Sequence, residues 1–158
     1  FRRVLFRSQK AGLEAVHGNI LNESLRDEIQ LDGIGKMIAV TSNTEANSLA
    51  AIEYKHHLGR ANVFQIAHSE DDHKKGSDHL SGRPLGPNVL TLEMIDKLWE
   101  QGFRIITDTQ PPQENKEHFL IAEIEANKLF VFSSDGFQRA LKPSQYILLT
   151  NRISVYTF

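Results

Sequence analysis

Hydrophobic and polar positions keep two different rhythms along this chain. In its first part, short apolar runs alternate with longer segments of helical periodicity. Residues 13–17, within GLEAVHGN, read as a short buried strand closed by Gly18 and Asn19. A helix then opens at Asn22 or Glu23, with Leu25 and Ile29 four apart on one face, and DGIG at 32–35 ends it. Residues 37–40 are apolar without alternation, as in a strand covered on both faces. Across 44–58, Ala46, Leu49, Ala50, Tyr54 and Leu58 recur at helical spacing and form the predicted buried stripe, with Gly59 placed to end the helix. Ser42 and Glu45 have capping-box spacing, so each side chain can reach the other's free backbone N–H. Residues 62–67 make a third apolar run. Strand, helix, strand, helix, strand predicts an α/β fold, and right-handed crossovers make its sheet parallel.

The rhythm changes after residue 67. The stretch 68–87, HSEDDHKKGSDHLSGRPLGP, is charged and rich in Gly and Pro, which reads as a linker with the domain boundary near 68–82. A helix over 91–101 comes next, with Leu92, Ile95, Leu98 and Trp99 on its apolar side. Strands are predicted at 103–107, 119–125, 128–133 and 146–150, with EANK and SSDG as turns. Short turns between alternating runs make this part antiparallel. The predicted organisation is thus a partial Rossmann-like parallel sheet over 9–67, a linker over 68–87, and a small α+β subdomain over 88–158. The first eight residues, FRRVLFRS, are more basic than the rest of the chain and resemble a translated sequencing-library adapter. They read as a non-native leader, with native sequence lost before residue 9.

Composition narrows the function. The chain has 158 residues, 40% of them hydrophobic and 24% charged, with a net charge of −2. Both signs are interspersed, so there is no electrostatic footprint for nucleic acid. The absence of cysteine excludes a disulfide scaffold, a thiolate metal site and a cysteine nucleophile. No apolar run approaches the roughly 20 residues that span a bilayer. His68, His73 and His79 lie among acids in the 68–87 stretch, but their spacing matches no zinc pattern, and a solvated loop explains them. His56 and His57 sit near a helix C-terminus, where the dipole favours protonation; a pH sensor and an ordinary exposed helix end both fit. Asp27 and Glu28 point about 100° apart on a helix and make a poor acid–base pair. No serine stands in a G-x-S-x-G elbow, and Trp99 is expected in the core. No catalytic or metal-binding residue is assigned, and no enzymatic activity is expected.

Taken together, GLEAVHGNILNESLRDEIQLDGIGKMIAVTSNTEANSLAAIEYKHHLGRANVFQIA resembles the second half of an RCK domain, the Rossmann-type regulator of potassium conductance. Gly18-Asn19 stands where the family has a glycine and a small polar residue after its third strand. Thr41-Ser42-Asn43 stands where a Thr/Ser-Asn/Asp segment comes after the fourth. GRPLGPNVLTLEMIDKLWEQGFRI and ALKPSQYILLTNR are similar to the C-terminal tail of bacterial sodium/proton antiporters that carry such domains. The order of these segments over 10–153 is a stronger signal than any one of them.

The resemblance implies a cytoplasmic regulatory domain of a cation/proton antiporter, lying at the membrane face, working with a membrane transport domain and pairing as a homodimer. It implies that Gly18, Asn19, Thr41, Ser42 and Asn43 meet a ligand at the carboxyl ends of parallel strands, where helix N-termini favour negative charge. The plainer roles are a cap for Ser42 and a turn for Gly18. The family's ligand would be a nucleotide such as NAD, ATP or AMP, but the G-x-G-x-x-G turn that admits a pyrophosphate is absent, as is the acidic residue that holds a ribose. The implied domain is therefore N-terminally truncated. Two strands would be missing between the run at 13–17 and that at 37–40, and residues 1–35 are expected to be the least stable part. Two further readings share the pattern: a soluble regulatory subunit of a potassium uptake system, and a fragment of a NAD-dependent dehydrogenase.

Overall fold

Val63, Phe64 and Gln65 are all buried, as a strand covered on both faces must be, and they form the middle of a parallel sheet. The computed structural model describes residues 15, 18, 33–67, 81–87, 90–112, 118–136 and 139–151. Contacts divide the chain into two compact units, Phe1–Gly35 and Lys36–Phe158. In the first, Ala15 is half-buried and Gly18 lies exposed in a bend. The strand at 13–17 is otherwise outside the described residues, as are the helix after Asn22, Asp27, Glu28 and Asn19.

The second unit opens with β1 (Met37–Ala39), which runs parallel to β2 (Val63–Gln65) with Met37 opposite Val63. Between them runs α1 (Thr44–Leu58), followed by a 3₁₀ turn at Arg60–Asn62. The third strand, β3 (Arg83–Pro84), pairs parallel to β2, so the sheet order is β1-β2-β3. This pair falls inside the stretch read as linker. Its proline lacks an N–H and is tolerated at the sheet's edge, which is why the sequence conceals the strand. Gly82 lets β3 come close: a Cβ there would stand 3.0 Å from the Gln65 Cβ and 3.3 Å from the Ala51 Cβ. The buried Gln65 amide fixes the approach, accepting from Gly82 N at 3.1 Å and donating to Ser48 Oγ at 3.0 Å.

Three details of the β1–α1 segment differ from expectation. Ile38 is 41% exposed and Val40 46% exposed, because among the described residues β1 is the other edge of this sheet rather than a strand covered on both faces. The cap is Asn43, one residue after Ser42: its Oδ1 accepts from Ala46 N at 2.8 Å. The buried stripe is Asn47, Ala50, Ala51 and Tyr54, whereas Ala46 is exposed and Leu49 is 51% exposed. Ala50 and Tyr54 keep their expected places, and the face is turned toward Asn47 and Ala51 by about 50°. Asn47 causes the turn. It is buried at 1% exposure and satisfies its amide on the preceding loop: Nδ2 donates to Thr41 O at 2.9 Å, and Oδ1 accepts from Thr41 Oγ1 at 2.6 Å and Thr41 N at 3.2 Å. At the far end Gly59, at φ 77°, stops the helix by donating to Lys55 O.

Beyond β3 the rhythm changes as expected. Thr91 caps α2 (Leu92–Glu100), its hydroxyl accepting from Met94 N. Then come β4 (Arg104–Asp108), β5 (His118–Glu125), β6 (Lys128–Val131) and β7 (Gln145–Thr150), antiparallel in the order β4-β7-β5-β6. Ala126 and Asn127, both at positive φ (46° and 62°), join β5 to β6 in the left-handed conformation that matches strand twist in two-residue hairpins. Leu90, Leu98, Phe103 and Leu149 form one core, with Met94, Ile95 and Phe119 against it. Phe64, Leu85 and Val131 form a second, which both sheets share. Trp99, expected in the core, is 48% exposed; the Arg104 guanidinium lies 4.2 Å from its ring centre, a cation–π contact at the surface.

The cap assignment is directly testable. Asn43→Ala should cost about 1 kcal/mol of stability in urea denaturation, while Ser42→Ala should stay within about 0.5 kcal/mol of wild type. The reverse ranking would restore Ser42 as the cap.

Candidate ligand site at the carboxyl end of the parallel sheet

Open α/β sheets place ligands beyond the carboxyl ends of their strands, so the three ends decide what this sheet can hold. The end of β2 is closed. Ala67 bridges to Thr91 in parallel register, and its carbonyl accepts from Leu92 N at 2.9 Å, so the start of α2 sits where a ligand would enter. The end of β3 is closed too. Gly86 bridges to Ser133, and its N–H donates to Phe132 O at 2.9 Å. Only β1, among the described strands of this sheet, ends in an exposed polar turn, formed by Thr41, Ser42 and Asn43.

Most of that turn's hydrogen bonding is internal. The Thr41 hydroxyl serves Asn47 and also accepts from Asn43 N at 3.2 Å, and Asn43 Oδ1 caps α1. Ser42 is exposed and takes no part in the cap. Of the other two residues implied as ligand contacts, Gly18 is exposed in the first unit and Asn19 is outside the described residues. With the glycine-rich turn absent from the sequence, the described turn does not by itself fit a pyrophosphate. Its geometry is that of a braced strand-to-helix connection with one hydroxyl to spare.

A charged cluster lies toward the opposite, amino-terminal end of the sheet. Arg83 donates to Asp135 Oδ1 from Nε at 3.1 Å and Nη2 at 2.9 Å, to the Gly136 carbonyl, and to Ala61 O at 3.4 Å. Ser133 Oγ donates to the same carboxylate oxygen at 2.6 Å. The guanidinium also lies 5.2 Å from the centre of the Phe64 ring, and Lys36 Nζ lies 5.8 Å from it. Lys36 donates to Asn62 Oδ1 at 2.9 Å. Burial, then the Arg83 charge, lowers the Lys36 pKa. Partial burial pushes the Asp135 carboxyl up, but hydrogen bonds from Ser133 and Arg83 and the charges of Arg83 and Arg60 outweigh it, holding it below the usual carboxylate range. This cluster ties β3 to the turn after β6. Its place at the wrong end of the strands makes it a fastening, and the 52-residue separation of Arg83 and Asp135 hides it from sequence reasoning.

His56 and His57 are exposed on the last turn of α1, with His57 Nε2 4.0 Å from Glu53 Oε1. His68, His73 and His79 are outside the described residues. Among the described residues no group of three His, Cys, Asp or Glu could hold a metal ion, and no helix is long and apolar enough to cross a membrane.

The fold class is α/β, a three-stranded parallel sheet leading into a four-stranded antiparallel one. No protein-family model matches the chain, and no curated protein matches it. Among solved structures it is similar to the crystal structure of the GsuK RCK domain, at 13% identity and a TM-score of 0.35, over 86% of this chain. The chain spans 34% of the length of that one. A likeness this loose fixes neither fold nor function; the fold stands on its own strand pairing.

The Asp135 fastening has a pH signature. Because its folded pKa is depressed, its contribution to stability is full above the unfolded value, about 3.9, and is lost as pH falls through the lower folded value. Wild type should therefore exceed Asp135→Asn in stability at neutral pH, with the gap closing in acid. A gap that persisted or grew in acid would show that the carboxylate's charge is not what holds Arg83.

Proposed function

We propose that this chain is a regulatory domain of a cation transport system, of the RCK type, in which a small ligand or a sister subunit biases a membrane transport domain. One observation supports this above the rest. A parallel β–α–β unit, with an exposed Thr41-Ser42-Asn43 turn after its first strand, is followed directly by an antiparallel α+β module. That is the order in which the resembling segments fall along the sequence. In this reading the domain acts by binding and not by catalysis. It works at the cytoplasmic face of the membrane, pairs as a homodimer, and serves a sodium/proton or potassium/proton antiporter. Thr41, Ser42 and Asn43 contribute to a nucleotide site that needs a glycine-rich turn from elsewhere. Regulation of this kind requires contacts that differ between two states of the transporter.

The gene tests the proposal. Apolar spans of about 20 residues should be encoded in the same frame or in an adjoining cation-transport gene. A frame that instead continues into a long second domain with a catalytic His or Lys would make the chain part of a dehydrogenase and remove the transport assignment.

A further inference from the structure

The antiparallel sheet has two edges, and the fold engages one of them. On the β6 side the chain runs on through Phe132 and Ser133, whose backbone meets Gly86 of the parallel sheet. On the other side β4 pairs with β7, and no further described strand lies beyond it. An edge strand is a template for another chain, and proteins that do not use one often blunt it with proline or a bulge. β4, RIITD, has neither: it contains no proline and keeps continuous register with β7. The edge is also apolar. Ile105 lies opposite the core residue Leu149 and so faces the side that α2 covers, yet it is 58% exposed. Trp99, held against the Arg104 guanidinium, is 48% exposed.

The charges of β4 decide which chain fits there. Antiparallel pairing of the strand with its own copy, about a two-fold axis at Ile106, puts Arg104 opposite the partner's Asp108 at both ends. Ile105 then lies opposite the partner's Thr107 and diagonal to the partner's Ile105. Other registers lose this match. Parallel in-register pairing would set Arg104 on Arg104 and Asp108 on Asp108. An antiparallel slip of two residues would set one of these charges opposite Ile106. Directly opposed residues have Cβ atoms about 4.5–5.5 Å apart, within reach of an arginine–aspartate pair. Neither side chain has to give up what it already holds. Arg104 Nη1 donates to Trp99 O at 3.0 Å and Phe103 O at 2.6 Å, and Asp108 Oδ1 accepts from Gln110 N at 2.9 Å. A guanidinium has further N–H groups, and a carboxylate accepts more than one hydrogen bond.

We propose that a second copy of this chain docks on the β4 edge. The two four-stranded sheets join into one continuous sheet, with an Arg104–Asp108 pair at each end of the seam and Ile105 covered at its centre. The inference rests on the homodimer of the proposed function, for which it names the surface, and not on what that dimer regulates.

Sedimentation velocity of the full 158-residue chain over a concentration series tests it. Wild type should dimerise with a Kd below about 100 μM. Arg104→Asp and Asp108→Arg each set like charges opposite one another at both ends of the seam, so each should weaken the dimer at least about tenfold. Mixed in equal amounts, the two variants should dimerise again, because every end then faces an opposite charge. Damage to the fold would not be repaired by mixing. Should either variant fail to fold, cross-linking decides. Ile106→Cys, in a chain that has no other cysteine, should form a disulfide-linked dimer on mild oxidation. Leu141→Cys, 93% exposed and tied to β5 through Glu125, should not. The β4 seam is overturned if the dimer survives both charge changes, if mixing restores nothing, or if Leu141→Cys cross-links as readily as Ile106→Cys. A chain that stays monomeric throughout the series removes the homodimer together with its seam.

Discussion

A buried strand cannot simply stop, because its last N–H and C=O groups still need partners. In this protein the parallel sheet meets that requirement by handing its strand ends to the antiparallel module. Gly86 N donates to Phe132 O and Leu92 N donates to Ala67 O, both at 2.9 Å, and Phe132 N in turn donates to Ile121 O at 2.8 Å. A shared apolar core of Phe64, Leu85 and Val131 lies beside this backbone continuity, and the Arg83–Asp135 pair fastens β3 to the turn after β6. These contacts make the two sheets parts of one unit. They also close two of the three strand ends at which an α/β sheet would hold a ligand.

This constraint reshapes the functional question. The exposed turn after β1 is what the parallel sheet has left to offer, and its Thr41 and Asn43 side chains are engaged with Asn47 and the α1 backbone. A nucleotide held there would need a glycine-rich turn that the sequence does not contain. The antiparallel module, by contrast, buries the Glu123 carboxylate, which accepts from Ala140 N at 3.0 Å and has Arg139 Nε at 3.7 Å.

The sequence revealed the order and type of elements wherever apolar periodicity decided them: β1, α1, β2, α2 and the four antiparallel strands all lie within two residues of their expected places, with β2 and β6 each ending two residues early. It misled where a polar residue did the work of an apolar one. Asn47 looks like a surface position in a helix, yet it is the residue around which the buried stripe of α1 is set, because its amide bonds are completed by Thr41. The cap falls on Asn43 and not Ser42, since both residue types cap equally well and spacing alone cannot choose. Indole is large and apolar, which places Trp99 inside on sequence grounds; Arg104 stacking makes the surface an acceptable place for it. Contacts across long separations, such as Arg83 with Asp135 and Glu123 with Ala140, leave no local signature.

Native-state hydrogen exchange tests most directly whether the two sheets are one unit. The amides of Ile66 in the parallel sheet, Phe132 at the end of the antiparallel one, and Gly86 and Leu92 at the seams are each hydrogen-bonded to backbone. If the seams join the sheets as described, all four should share one opening free energy and one dependence on denaturant. Separate isotherms for Ile66 and Phe132, with Gly86 and Leu92 exchanging first, would contradict the account and divide the unit into two independently folding halves.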